Sequence, residues 1–110
     1  MTSTNIEQCA LAYFRKDYAI DYRRLALAAV VSILQKSARA ISVQEVKRQA
    51  RYTYNIECSA VDDAINALNS PLGFNCVRKR KGTHAILVSM PRMSDSLTCW
   101  VNNNKSLMAH

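Results

Sequence analysis

The chain has 110 residues, the size of one domain, and its 49% hydrophobic content is enough for a small buried core. Fifteen Lys and Arg against eight Asp and Glu leave a formal net charge of +7, which suits a polyanionic partner: nucleic acid, an acidic protein face or an anionic membrane surface. The apolar run Leu25 to Leu34 falls well short of the roughly 20 residues that span a bilayer, which argues against a transmembrane helix.

In chain order, Thr4-Asn5-Ile6-Glu7 has the spacing of a capping box, in which a Ser or Thr and an acid three residues on satisfy each other's free backbone N–H. Ile6, Cys9, Ala10, Tyr13 and Phe14 then recur at helical spacing, predicting a first helix to about Lys16. Asp21 is placed to cap a second helix, Tyr22 to about Lys36. From Leu25 to Leu34 that helix is apolar nearly all round, where one stripe would serve one core, so it should be covered on two sides. A link over 37–41 follows, with Ile41 placed to add a short strand.

Ser42-Val43-Gln44-Glu45 is a second capping box, and Val46 and Ala50 lie one turn apart behind it. Tyr54-Asn55-Ile56 breaks this helix, because Asn tolerates the left-handed conformation of a tight turn. Ser59-Ala60-Val61-Asp62 reads as a third cap, opening a helix with Val61, Ala64, Ile65 and Leu68 on one face. Ser70-Pro71-Leu72-Gly73 ends it. Phe74-Asn75-Cys76-Val77 and Ala85-Ile86-Leu87-Val88 read as two short strands, with Arg78-Lys79-Arg80-Lys81-Gly82-Thr83 as the tip between them. Beyond Pro91, Ser94-Asp95-Ser96 can cap a short helix carrying Leu97, Trp100 and Val101. Trp100 is costly to leave in water, so this segment should dock on something. Asn102-Asn103-Asn104 should break structure, and the last residues should fray.

The succession Val46, Ala50, Asn55-Ile56, Val61, Ile65, Leu68, then Gly73-Phe74 and a strand pair, resembles the winged helix-turn-helix family of DNA-binding domains over roughly residues 22–90. The resemblance implies that 60–69 stands where the family's recognition helix stands, and that 78–83 forms the wing. The first helix lies outside the minimal plan of that family. It reads equally as a packing or dimerisation element and as a lid on the core.

The candidate contacts are basic and placed. Arg78, Lys79, Arg80 and Lys81 are four consecutive cations that an anionic backbone would relieve of mutual repulsion, and Thr83 and His84 can add hydrogen bonds. Strand alternation lets only part of this run face one ligand. Lys47, Arg48 and Arg51 share the helix face opposite Val46 and Ala50, with Tyr52 and Tyr54 at the turn as donors to phosphate. On the following helix Ser59, Asp62, Asp63, Asn66, Asn69 and Ser70 should be exposed. Asn66 suits adenine, and an Asp can accept from cytosine N4. Asp62 and Asp63 in the first turn favour the helix dipole but repel phosphate. They read as structural caps, as base readers beside a wing that supplies affinity, or as a face for a protein partner.

No catalytic group is expected. Neighbouring residues on a helix diverge by about 100°, so Asp62 and Asp63 make a poor acid–base couple, and there is no P-loop or G-x-G-x-x-G. Cys9, Cys58, Cys76 and Cys99 show no C-x-x-C spacing, and His84 and His110 fit no zinc pattern; no metal or cofactor is implied. Cys58 and Cys76 flank apolar positions and read as small core residues. No signal peptide is evident, so reduced thiols and a cytoplasmic location, nucleoid-associated in a bacterium, are expected.

The expectation is one mainly α domain with a small antiparallel β-hairpin: a winged helix-turn-helix core at about 22–90, an N-terminal helical extension over 1–20 and a C-terminal tail over 91–110. The function expected is sequence-specific binding of double-stranded DNA by a homodimer, hence transcriptional regulation, with Lys47, Arg48, Arg51, Tyr54, Ser59, Asn66, Arg78, Lys79, Arg80, Lys81, Thr83 and His84 in contact. The alternatives are a winged-helix adaptor that binds protein, through Asp62 and Asp63, and a single-strand or RNA-binding module.

Overall fold

The computed structural model describes residues 2–108, with side chains described over 6–107. The chain runs α1 (Thr2–Leu11), α2 (Ile20–Lys36), β1 (Ile41–Ser42), α3 (Val43–Tyr54), α4 (Cys58–Asn69), β2 (Arg78–Lys81), β3 (Ile86–Ser89), α5 (Asp95–Asn103) and a closing 3-10 turn at Lys105–Met108. It is mainly helical, with one small three-stranded antiparallel sheet in the order β1-β3-β2.

The first helix is shorter than its periodicity predicts. It begins at Thr2, so Thr4 stands inside it rather than at its cap; the Thr4 side chain lies outside the described residues. It ends at Leu11 because the chain tightens there: Tyr13 N–H bonds to Ala10 O and Phe14 N–H to Leu11 O, each at 3.2 Å, and Phe14 turns into the core. The segment up to α2 is held by one guanidinium. Arg23 donates to Tyr18 O (3.0 Å), Leu11 O (3.3 Å) and Lys16 O (3.1 Å), supplying donors for carbonyls that a continued helix would have paired internally.

The second helix starts two residues earlier than expected. Ala19 occupies the cap position without a side-chain bond, and Asp21 sits in the first turn, 3.4 Å from Arg24. Ala26 to Val31, Ile33 and Leu34 are all buried. Both expected covers are present: α3 and α4 pack on α2, as do α1 and the closing 3-10 turn.

In α3, Ser42 Oγ accepts from Glu45 N–H at 3.0 Å, as the spacing predicts. The capping box works in one direction only, because the Glu45 carboxylate turns outward to Arg48 and Gln49. Asn55 takes the left-handed turn (φ 57°), donating its N–H to Arg51 O at 3.0 Å. The cap expected at Ser59 is not there. Helix α4 opens one residue before it, with Glu57 at the cap position, and two tyrosines serve this end instead. Tyr22 Oη accepts from Glu57 N–H (2.9 Å), while the Tyr18 hydroxyl donates to the Glu57 carboxylate (2.9 Å) and bonds Ser59.

The strands lie further along the chain than expected at β2. Phe74 to Val77 is not a strand, because its backbone donors go to the end of α4: Cys76 N–H and Val77 N–H both reach Leu68 O, at 2.9 and 3.2 Å. Asn69 Nδ2 adds a bond to Val77 O at 2.7 Å, and Asn75 is left-handed (φ 49°). The cation run is therefore the strand itself, and Gly82 to Ala85 make the tip. Gly82 N–H bonds Ala85 O at 2.8 Å, and a Cβ on Gly82 would stand 2.9 Å from that oxygen. The pairs are Arg78–Ser89, Lys79–Val88, Arg80–Leu87 and Lys81–Ile86, with Ile41–Val88 and Ser42–Leu87 on the other side.

Helix α5 opens as predicted, with Ser94 Oγ accepting from Leu97 N–H at 3.1 Å. It runs through Asn102 and Asn103, and Asn104 closes it. The 3-10 turn that follows packs on α2; residues 109 and 110 lie outside the described ones. Trp100 docks in cis: it is buried edge-on against Phe74 (5.8 Å) and its Nε1–H donates to Glu7. Glu7 also accepts from Arg24 at 2.9 Å, so both extensions meet at one carboxylate.

Candidate functional site

The core leaves little of α4 exposed. Ala60, Val61, Ala64, Ile65, Ala67 and Leu68 are buried. Of the polar positions expected outside, Ser59 is half-buried on Tyr18, and Asp63 is half-buried and accepts from Arg15 N–H at 3.3 Å. Asn69 turns to Val77 O, and Ser70 is buried, bonded to Tyr13. What remains is a single stripe at four-residue spacing: Cys58, Asp62 and Asn66. Cys58 is thus exposed, not the core residue its apolar neighbours suggested, because it lies at the helix start on the outward side. Cys76 is buried as expected, and desolvation pushes its thiol up to about 11.

Two cations from other elements close on that stripe. Lys47 Nζ of α3, a mostly covered side chain, lies 3.1 Å from Asp62 Oδ2. Lys79 Nζ of β2 donates to Asn66 Oδ1 at 3.2 Å. The expected repulsion between Asp62 and an anion is therefore offset by a paired ammonium, and the adjacent Asp62 and Asp63 diverge to different partners.

The cation strand divides by its alternation. Lys79 and Lys81 stand on the face of Val88 and Ile86; Arg78 and Arg80 stand on the face of Ser89 and Leu87. All four are exposed. Arg78 folds back on Asn75, 3.4 Å from its carbonyl and from its side-chain oxygen. Thr83 and His84 are exposed at the hairpin tip.

Comparison with protein-family profiles, curated proteins and solved structures returns no match to this chain.

The α3 candidates separate. Arg48 is exposed but bonded to Glu45, at 3.0 Å through Nε, and those hydrogen bonds, with one from Gln49, hold the Glu45 carboxyl at about 2. Arg51 is exposed at the rim of an open cleft with Asp17, Tyr18, Tyr22, Asn55 and Glu57. Tyr54 is turned inward, donating to Ser32 Oγ at 3.2 Å, and is no longer a free donor. Tyr52, by contrast, is 89% exposed. The structure therefore brings Lys47, Asn66 and Lys79 together, with Lys81 on the same strand face. It takes Tyr54 and Ser59 away from that surface.

Arg92, which no motif or periodicity singles out, lines a cavity of about 390 Å³ with Asn75, Arg78 and Ser94. Among the described residues no group of three or more His, Cys, Asp or Glu can hold a metal ion, and no helix is long and apolar enough to cross a membrane.

Proposed function

We propose that the chain is a winged helix-turn-helix protein that binds double-stranded DNA in a sequence-specific way, and that it acts as a homodimeric transcriptional regulator. In this reading α3 and α4 are the helix-turn-helix, and β2 and β3 with their tip are the wing. The observation that carries it is the hydrogen bond from Lys79 to Asn66: it joins an exposed strand of four cations to the one exposed stripe of α4. A helix face flanked by a phosphate-binding strand is what groove entry needs, since cations on the strand position the protein and the helix tests base edges. The left-handed Asn55 sets the sharp turn between the helices. Lys47, Arg51, Lys81 and His84 are assigned to the backbone, Asn66 and Asp62 to the bases, and Lys79 to the junction between the two.

The acidic pair gives less support to a protein-docking face, because Asp62 is paired with Lys47 and Asp63 is half-buried under the N-terminal extension. The test is a fluorescence anisotropy titration with random-sequence duplex at two salt concentrations, on protein whose mass is fixed by light scattering. A dimer whose affinity falls steeply with salt, and for which single strands compete poorly, is expected. Absence of duplex binding at low salt would overturn the reading.

A further inference from the structure

The two ion and hydrogen-bond pairs on α4 dictate what that surface offers to a base. Lys47 takes Asp62 Oδ2 (3.1 Å) and leaves Oδ1 as an acceptor. Lys79 donates to Asn66 Oδ1 (3.2 Å), which occupies one of that oxygen's two lone pairs and sets the remaining N–H groups of the ammonium beside the free Nδ2 donor. An Asn that reads adenine uses both of its side-chain atoms, accepting from N6–H and donating to N7. With an ammonium already on that oxygen, the edge that Asn66 and Lys79 present is dominated by donors. Guanine answers with two acceptors, N7 and O6, whereas adenine sets its N6–H against a donor. The acceptor left on Asp62 matches the N4 amino group of cytosine.

Asp62 and Asn66 are four residues apart on one stripe. At 1.5 Å rise per residue that is about 6 Å along the helix, close to two base-pair steps of roughly 3.4 Å.

We propose that this face selects G·C pairs: Asn66 together with Lys79 takes a guanine edge, and Asp62 takes a cytosine about two steps away. The assignment rests on the duplex-binding reading above and reverses the adenine preference that Asn66 suggests by itself. Lys79 is then a positioning residue for Asn66 as well as a base contact.

The test is site selection from a randomised duplex library with the unmodified protein, Asn66→Ala, Lys79→Ala and Asp62→Ala, followed by anisotropy on the selected duplex and its G-to-A and C-to-T variants. Asn66 and Lys79 are exposed, and circular dichroism checks that each variant is folded. The unmodified protein should select a guanine and a cytosine about two steps apart, and the G-to-A change should weaken it roughly tenfold. Lys79→Ala frees Asn66 Oδ1, so the preference at that position should move from guanine to adenine. Asp62→Ala should relax the cytosine position alone. Selection of adenine by the unmodified protein, or an unchanged base preference in Lys79→Ala, overturns the inference and leaves duplex binding intact. Salt-sensitive binding with no selected sequence also overturns it, while loss of all duplex binding at low salt overturns it together with the reading beneath it.

Discussion

Replacing Lys79 and Lys81 with alanine should weaken the proposed duplex binding more than replacing Arg78 and Arg80, although the four residues are consecutive and carry equal charge. The reason is the register of β2 on β3. Lys79 and Lys81 share the face of Val88 and Ile86, and Lys79 touches Asn66 of α4 from that face. Arg78 and Arg80 share the opposite face, where Arg78 is already engaged with Asn75. A cation that neutralises one phosphate of B-DNA adds about 0.9 to the slope of log affinity against log salt. Between about 50 and 200 mM salt, one such contact is worth about 3.5-fold in affinity and two are worth about 12-fold. The Lys79→Ala, Lys81→Ala protein should therefore lose about 0.9 from its salt slope through Lys81 alone and up to about 1.8 if the Lys79 ammonium also neutralises a phosphate, and the Arg78→Ala, Arg80→Ala protein less than about 0.9. Anisotropy titrations of a labelled random-sequence duplex across a salt series measure both slopes. Equal losses in the two variants would refute the argument from alternation, and an unchanged slope in both would remove β2 from the interface.

Asn55→Ala should destabilise the fold by about 1–2 kcal/mol in urea denaturation, because its φ of 57° is costly for a residue with an ordinary Cβ, while Asn55→Gly should cost far less. Trp100→Ala should cost about 3–5 kcal/mol by removing a buried ring from Phe74 and leaving Glu7 without its indole donor; a loss under about 1 kcal/mol would show that α5 is not part of the core. Glu45 has a folded pKa of about 2 against an ordinary 4.5, held down by hydrogen bonds from Arg48 first and Gln49 second. A depressed acid contributes stability above its unfolded pKa and loses it as pH falls through the folded one, so this contribution should fade between pH 4.5 and 2. In Arg48→Ala the Glu45 titration followed by NMR should move up toward 4.5, and a midpoint that stays near 2 would reject Arg48 as the cause.

Helix identity was legible in the sequence wherever the signal was local. The Ser42 and Ser94 caps and the Asn55 turn follow from two or three neighbouring residues, and the apolar girth of α2 correctly called for covers on two sides. The failures share a cause: a partner from outside the element took a group that local pattern had assigned elsewhere. Arg23 bonds three carbonyls and so permits α1 to stop at Leu11. Tyr18 and Tyr22 replace the expected Ser59 cap, across about 40 residues of chain. Leu68 O captures two N–H groups that would have started β2 at Phe74, which moves the cations from the tip into the strand. For the proposed site, the exposure of Asn66 and of the cation run was readable from residue type and spacing. Their junction was not, because it depends on which face of β2 each cation takes, and a shift of one residue in strand register reverses that.

The N-terminal extension bears directly on how much of α4 is available to a ligand. Its segment over 13–18 engages Ser70, Asp63 and Ser59, which are three of the six polar positions that a bare α4 would leave in solvent. That segment is in turn fixed by Arg23, and α1 by the bonds of Glu7 to Arg24 and Trp100. Both extensions thus stabilise an arrangement in which the helix exposes only Cys58, Asp62 and Asn66. In the proposed complex, a reader one residue wide can discriminate at few base positions, each pair being worth about 1–3 kcal/mol, so most of the binding free energy would have to come from phosphate contacts. Cations on β2, which outnumber the polar side chains exposed on α4, are the groups placed to supply it. The proposed regulator should therefore bind any duplex appreciably and gain selectivity by pairing two copies on neighbouring half-sites, since doubling a narrow reader multiplies its discrimination without widening it.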